Sequence, residues 1–280
     1  MFRYTKWTLL REILTIIAAL ALLSPFYILI TTALKTNTQI LTIAPLSLPP
    51  TPTFESFVQV LQGSGQANGN LLQGLLDSAI IAAGTIVILV VFGSAAAYVI
   101  SRRMSAWTRV SYYLFLVAIT LPLQLGVVPL YIGAKDLGLT GSLWGMIIVY
   151  GGTLMPLSVF LYAGFFRNVP IEYEEAATID GASPFQVFRR VVFPLMSPAT
   201  GTVAILGGLI VWNDFFTALI FLNGSGFPTF PVVMYNYVGS LVSQWNEIFA
   251  VVIISMIPIL AFYLFAQKQF IQGFSGGLKS

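Results

Sequence analysis

The sequence predicts an all-α membrane protein, a polytopic bundle of six transmembrane helices. Of its 280 residues, 57% are apolar and only 8% are charged, far too few charges to cover the surface of a soluble chain this size. Mean hydropathy is +0.88. Six apolar segments, 13–34, 75–100, 110–132, 143–166, 197–222 and 248–266, each reach about the 20 residues a helix needs to cross roughly 30 Å of hydrocarbon. The alternating segments of about ten residues that mark a membrane β-barrel are absent from the sequence.

The first segment is long for a signal-peptide core and lacks a small-residue cleavage site, so it reads as a retained anchor. The stretch 35–74 holds Pro45, Pro49, Pro50, Pro52 and a Gly/Asn/Gln-rich run at 63–70, the composition of a partly extended cap or linker. Its Gly63-Ser64-Gly65 follows no strand and is not a nucleotide fingerprint. Pro25, Pro122, Pro129, Pro156 and Pro258 fall in or near the spans. In a bundle, neighbouring groups satisfy the freed carbonyls, so these prolines predict kinks rather than helix ends. Three regions follow: 1–70, an anchor helix and extracytoplasmic loop; 71–269, the main transmembrane domain; and 270–280, a cytoplasmic tail.

Lys and Arg concentrate in cytoplasmic loops. With the N-terminus inside, Arg3, Lys6, Arg11, Arg102, Arg103, Arg109, Arg167, Arg189, Arg190, Lys268 and Lys279 fall inside, and Lys35 and Lys135 outside. Eleven against two predicts that both termini are cytoplasmic. A net charge of +3 is small, and no nucleic-acid partner is expected. With no Cys and no His, the chain lacks thiolate and imidazole metal sites, Cys nucleophiles and His general bases.

The largest cytoplasmic loop, 167–195, departs from the positive pattern. It holds Glu172, Glu174, Glu175 and Asp180, four of the ten acidic residues, within nine positions. Pro170 suits a first helical turn, the acids after it complement the helix dipole, and Gly181 is a natural stop. Ser183-Pro184 then starts a second helix over 184–190, with Phe185, Phe188, Val191 and Val192 as its apolar face and Arg189 and Arg190 in water.

Glu175-Ala176-Ala177, three residues, Gly181, nine residues, Val191, one residue and Phe193-Pro194 resemble the EAA signature of type I ABC importer permeases. Val191 and Phe193 stand for the usual Ile and Leu. Trp212-Asn213-Asp214-Phe215 and the C-terminal Gln267-Lys268-Gln269-Phe270-Ile271-Gln272-Gly273 with Ser275-Gly276-Gly277-Leu278-Lys279 are similar to the carbohydrate branch, the MalG-like permeases. Asp77-Ser78 replaces that branch's usual Asn-Ser, and Lys268 a usual Arg. The resemblance implies a cytoplasmic coupling helix seated in a groove of a separate ATPase. Glu175, Ala176, Ala177, Asp180, Gly181 and Pro194 are then its coupling residues: Glu175 to pair with a basic group, the alanines to allow close approach, Gly181 to make the exit turn. It also implies a second homologous permease, an ATPase dimer carrying the ATP and Mg, and an extracytoplasmic solute-binding protein. The chain itself is expected to bind no cofactor. It has no G-x-x-x-x-G-K-[ST] run, and Gly276-Gly277-Leu278-Lys279 lacks the spacing.

Only Asp77, Asp214 and Glu247 place charge in or near spans, which suits a neutral solute such as a sugar or oligosaccharide. Trp212, Asn213, Gln124 and Tyr150 are candidates for its pathway, because aromatic faces and amides hold sugars; helix packing is the competing role of each. Aromatics at Phe227, Phe230, Tyr235, Tyr237 and Trp245 mark the outer loop 223–246, read either as a face for the binding protein or as an interfacial belt. A permease for another solute, such as glycerol phosphate or a polyamine, or a secondary transporter, are the alternatives. A membrane-embedded enzyme is opposed by the absence of His and Cys.

Overall fold

The computed structural model describes residues 6–63, 70–103, 105–238 and 244–276. Among these the chain is helical, with no strand. The elements are α1 (Lys6–Ala33), α2 (Asn37–Thr42), α3 (Glu55–Gln62), α4 (Leu71–Arg102), α5 (Ala106–Thr120), α6 (Leu123–Asp136), α7 (Leu143–Phe166), α8 (Glu172–Ile179), α9 (Pro184–Leu195), α10 (Ser197–Asn213), α11 (Phe216–Phe221), α12 (Phe230–Val238) and α13 (Trp245–Gly276). Four helices are long and apolar enough to cross a membrane, α1, α4, α7 and Trp245–Phe265 of α13; the number rises to six if each of two bent pairs is one span.

The proline expectations resolve differently along the chain. Pro25, Pro129, Pro156 and Pro258 sit inside helices. At Pro122 the expected single span over 110–132 is instead broken: α5 and α6 meet at 114°. Leu121 and Pro122 both adopt extended backbone there, as the residue before a proline is pushed to do. The expected span 197–222 also divides. α10 ends at Asn213, Asp214 is extended with ψ 114°, and α11 follows. The chain turns 73° between α9 and α10.

Two compact units emerge, residues 1–71 with 233–257, and residues 72–232 with 258–280. In the first, α1 exposes its apolar side chains along its length, Leu20 and Leu22 among them. The segment after it is more ordered than a linker. Lys35 is buried and donates to the carbonyls of Ala44 and Pro45 at 3.2 and 3.1 Å. Thr36 and Gln39 form a reciprocal cap on α2. Asn246 donates to Ser56 at 3.0 Å. Burial, with the Glu247 carboxylate nearby, pushes the Tyr237 hydroxyl above its ordinary phenol range. Most of the Gly/Asn/Gln-rich run, 64–69, lies outside the described residues.

The second unit packs around α7, whose buried face includes Met146, Tyr150, Leu154, Tyr162 and Phe166. α4 carries a π turn at Leu89–Gly93, and Ser158 of α7 donates to the Leu89 carbonyl at 2.8 Å. A widened turn displaces a carbonyl from the i→i−4 ladder, and the hydroxyl supplies it with a partner. Gly93 lies against Ser158 so closely that a Cβ there would strike its hydroxyl. Tyr162 OH donates to Thr200 Oγ1 at 2.9 Å, joining α7 to α10.

Candidate functional site

The acidic segment folds as the sequence suggests, in detail that the sequence did not supply. Pro170 precedes the helix, which begins at Glu172; Glu172, Glu174 and Glu175 occupy its first turn, where carboxylates favour the helix dipole. Its end is a Schellman turn. Gly181 N–H donates to Thr178 O and Ala182 N–H to Ala177 O, both at 3.0 Å, with Gly181 at φ +81°.

The helix has two faces. Glu175, Ala176, Asp180 and Gly181 are exposed, together with Tyr173 and Ile179. Ala177 is half-buried and packs against the core of the chain itself, so it belongs to the inner face rather than to the exposed one. Beside it lies a residue outside the predicted set, Glu174. Its carboxylate is buried, receives Arg102 Nε at 2.6 Å and Tyr98 OH at 2.7 Å. Arg102 also donates to the carbonyl of Val169 at 2.8 Å. The end of α4, the chain leaving α7 and the acidic helix are thus tied at one point. A signal for Glu174 existed: it sits three residues before Ala177, on one helix face, and Arg102 ends the second span.

The helix that follows Ser183 corrects the expected one. It runs to Leu195, not 190, and contains a π turn at Phe188–Val192. Phe193 N–H donates to Phe188 O. Pro194, exposed, has no N–H to offer the helix; a wider turn just ahead of it accommodates that loss. The same widening puts Val187 and Val192, five residues apart, on one buried face, with Phe188 and Val191 half-buried. Phe185, expected on that face, is 68% exposed. Arg189 and Arg190 are exposed as expected.

Of the pathway candidates, the structure brings together Tyr150 and Asn213. Both line a cleft of about 240 Å³ with Thr153, Asp214 and Thr217. Tyr150 OH donates to Asp214 Oδ2 at 2.8 Å, and the other Asp214 oxygen accepts from Thr217 N–H at 3.4 Å. Asp214 occupies the break between α10 and α11, where it caps the start of the second helix. Asn213 is exposed, its amide donating to Leu209 O at 2.8 Å. Trp212 stands apart. It is buried, stacks on Phe230 with ring centroids 6.4 Å apart, and lines a separate apolar cleft with Ile86, Gly208 and Phe262. The Gln124 side chain lies outside the described residues. In the segment 223–246, expected to form an outer loop, Phe230 and Tyr237 are buried, whereas Tyr235 and Trp245 are about half exposed.

Residues 89–276 match the family described as "Binding-protein-dependent transport system inner membrane component". The chain is 32% identical over 274 residues to the melibiose/raffinose/stachyose import permease protein MelC of Bacillus subtilis (strain 168), covering 98% of this chain and 97% of MelC. It is 31% identical to the probable starch degradation products transport system permease protein AmyC of Thermoanaerobacterium thermosulfurigenes, over 94% of each chain. The trehalose transport system permease protein SugB of Mycobacterium tuberculosis (strain CDC 1551 / Oshkosh) is 33% identical over 82% of this chain and 83% of its own. In fold, the chain matches a crystal structure of a bacterial ABC transporter involved in the import of the acidic polysaccharide alginate, with a TM-score of 0.84 and 21% identity, over 96% of this chain and 100% of that one. With most of its length matched by the family and by relatives above 30% identity, this multi-pass helical membrane chain belongs to the inner membrane components of binding-protein-dependent transport systems.

Proposed function

We propose that this chain is the non-catalytic permease subunit of an ATP-driven importer for a sugar or oligosaccharide. The single observation that carries this is the acidic helix Glu172–Ile179, fixed to the body of the fold by buried Glu174 while Glu175, Ala176, Asp180 and Gly181 face outward. A helix anchored on one face and bare on the other suits force transfer from a separate partner better than a loose loop. MelC, AmyC and SugB, permeases named for saccharides or starch products, support the solute class.

In this reading both termini are cytoplasmic, which the eleven-to-two distribution of Lys and Arg supports. The acidic helix docks on an ATPase subunit that holds ATP and Mg, with Glu175 offered to a basic side chain. A second homologous permease completes the pathway, and an extracytoplasmic binding protein delivers solute. The cleft of Tyr150, Asn213 and Asp214 lies on the solute route, where a carboxylate and hydroxyls suit sugar hydroxyls. The regions 1–70, 71–269 and 270–280 act as anchor with outer loop, transmembrane domain and tail.

Co-purification after mild detergent extraction tests the proposal. An ATPase and a second permease should accompany the wild-type chain, and Glu175→Lys should reduce ATPase recovery while leaving the chain in the membrane. Solute uptake by the chain reconstituted alone would overturn it.

A further inference from the structure

A second polar site lies beside the Arg102–Glu174 pair and takes no part in the role proposed above. The cavity, about 290 Å³, opens among the end of α4, the start of α5 and the end of α7, and its lining includes Ser101, Arg103, Ser105, Arg109, Tyr112 and Arg167. Three arginines therefore line one small space. Among the described residues none of the three has a carboxylate partner; the ion pair found there joins Arg102 to Glu174. Arg167 lies over the Tyr112 ring at 5.4 Å, which fixes the cation without neutralising it. The Ser101 hydroxyl is buried and has no hydrogen-bond partner, a cost that a buried polar atom bears unless something binds it.

The surroundings name the ligand. α5 begins at this cavity, its N-cap Ser105 bonded to the Thr108 N–H at 3.2 Å, so the positive end of a 15-residue helix adds to the field. The walls are the ends of apolar membrane helices. Trp107, one residue into α5, is 82% exposed, the position of an aromatic anchor at headgroup depth. Guanidinium groups bind phosphate oxygens in pairs of parallel bonds, and a hydroxyl donates to a third. We propose that this cavity binds a phosphate group, and that in the membrane the phosphate is the headgroup of an anionic phospholipid. Basic pockets between transmembrane helices bind such headgroups elsewhere. Because Arg103 adjoins Arg102 in sequence, a lipid seated here would lie next to the tie between α4 and the acidic helix.

Native mass spectrometry of the full chain in detergent, with equimolar phosphatidylglycerol and phosphatidylcholine, tests the site. The wild type should retain phosphatidylglycerol preferentially, and Arg109→Gln and Arg167→Gln should each lower that preference by roughly fivefold. Tryptophan-fluorescence melting establishes that the variants fold. Should either variant fail to fold, the wild type decides: its phosphatidylglycerol preference should fall between low and high salt while phosphatidylcholine retention stays constant. Equal retention of the two lipids, a preference unchanged in folded variants, or a preference insensitive to salt would each overturn the site. Displacement of phosphatidylglycerol by millimolar inorganic phosphate would overturn the lipid assignment.

Discussion

Arg102 Nε and the Glu174 carboxylate lie 2.6 Å apart, across 72 residues of sequence, and they join the end of a membrane helix to the acidic helix outside it. Both side chains are mostly shielded, 17% and 11% exposed. Removing one partner of such a pair leaves a buried charge, at a cost of about 3 kcal/mol. Glu174→Ala and Arg102→Ala should therefore each lower the melting temperature by several degrees. The double variant should lose less than the sum of the two. Thermal unfolding followed by the tryptophan fluorescence of the detergent-solubilised chain measures all three; strict additivity would mean that the pair does not interact.

Adjacent acids should behave differently. Glu174 is an internal strut and Glu175 is exposed. Glu175→Gln should leave the melting temperature unchanged within error, because exposed charges contribute little to stability. In the reading proposed above it should weaken ATPase association and solute uptake. Glu174→Gln should keep the Tyr98 and Arg102 contacts in part but lose charge assistance, lowering the melting temperature. A melting temperature lowered by Glu175→Gln and untouched by Glu174→Gln would reverse this assignment of roles.

How far the sequence reached is clear from these elements. Apolar length located four of the six expected spans as single helices and the other two as bent pairs, and residue chemistry marked the acidic helix and its glycine stop. Three features escaped. The 114° break at Pro122 and the division at Asp214 depend on whether neighbouring groups restore the lost hydrogen bonds, which composition does not encode. The two π turns, at Leu89–Gly93 and Phe188–Val192, shift each following side chain around the axis, so a 3.6-residue period does not bring Val187 and Val192 onto one face. The inward acid was missed because four clustered charges read as one exposed patch, whereas successive helix positions differ by about 100°. At the pathway, Tyr150 and Asn213 meet in one cleft, but Trp212, adjacent to Asn213 in sequence, faces another.

The glycine stop allows a sharper test. At φ +81° a side chain strains the backbone, yet no atom lies within 4 Å of a Cβ at Gly181. The cost of Gly181→Val is then conformational alone, about 1–2 kcal/mol. Gly181→Asn, which tolerates this region better, should cost less. Melting temperatures of both variants check the order; an equal loss would point to contact rather than strain.

Gly93 presents the opposite case. Its backbone is ordinary helix, with φ −65°, so added bulk costs nothing in conformation. The obstacle is Ser158, whose hydroxyl occupies the space of the missing Cβ and donates to Leu89 O at 2.8 Å. Gly93→Ala must displace that hydroxyl, and overpacking with loss of the bond should destabilise by about 1–3 kcal/mol. Ser158→Gly opens the space, so adding it to Gly93→Ala should recover the overpacking part but not the hydrogen bond. The double variant should melt above Gly93→Ala and below wild type. A double variant no better than Gly93→Ala would show that the cost of Gly93→Ala does not come from overpacking against Ser158.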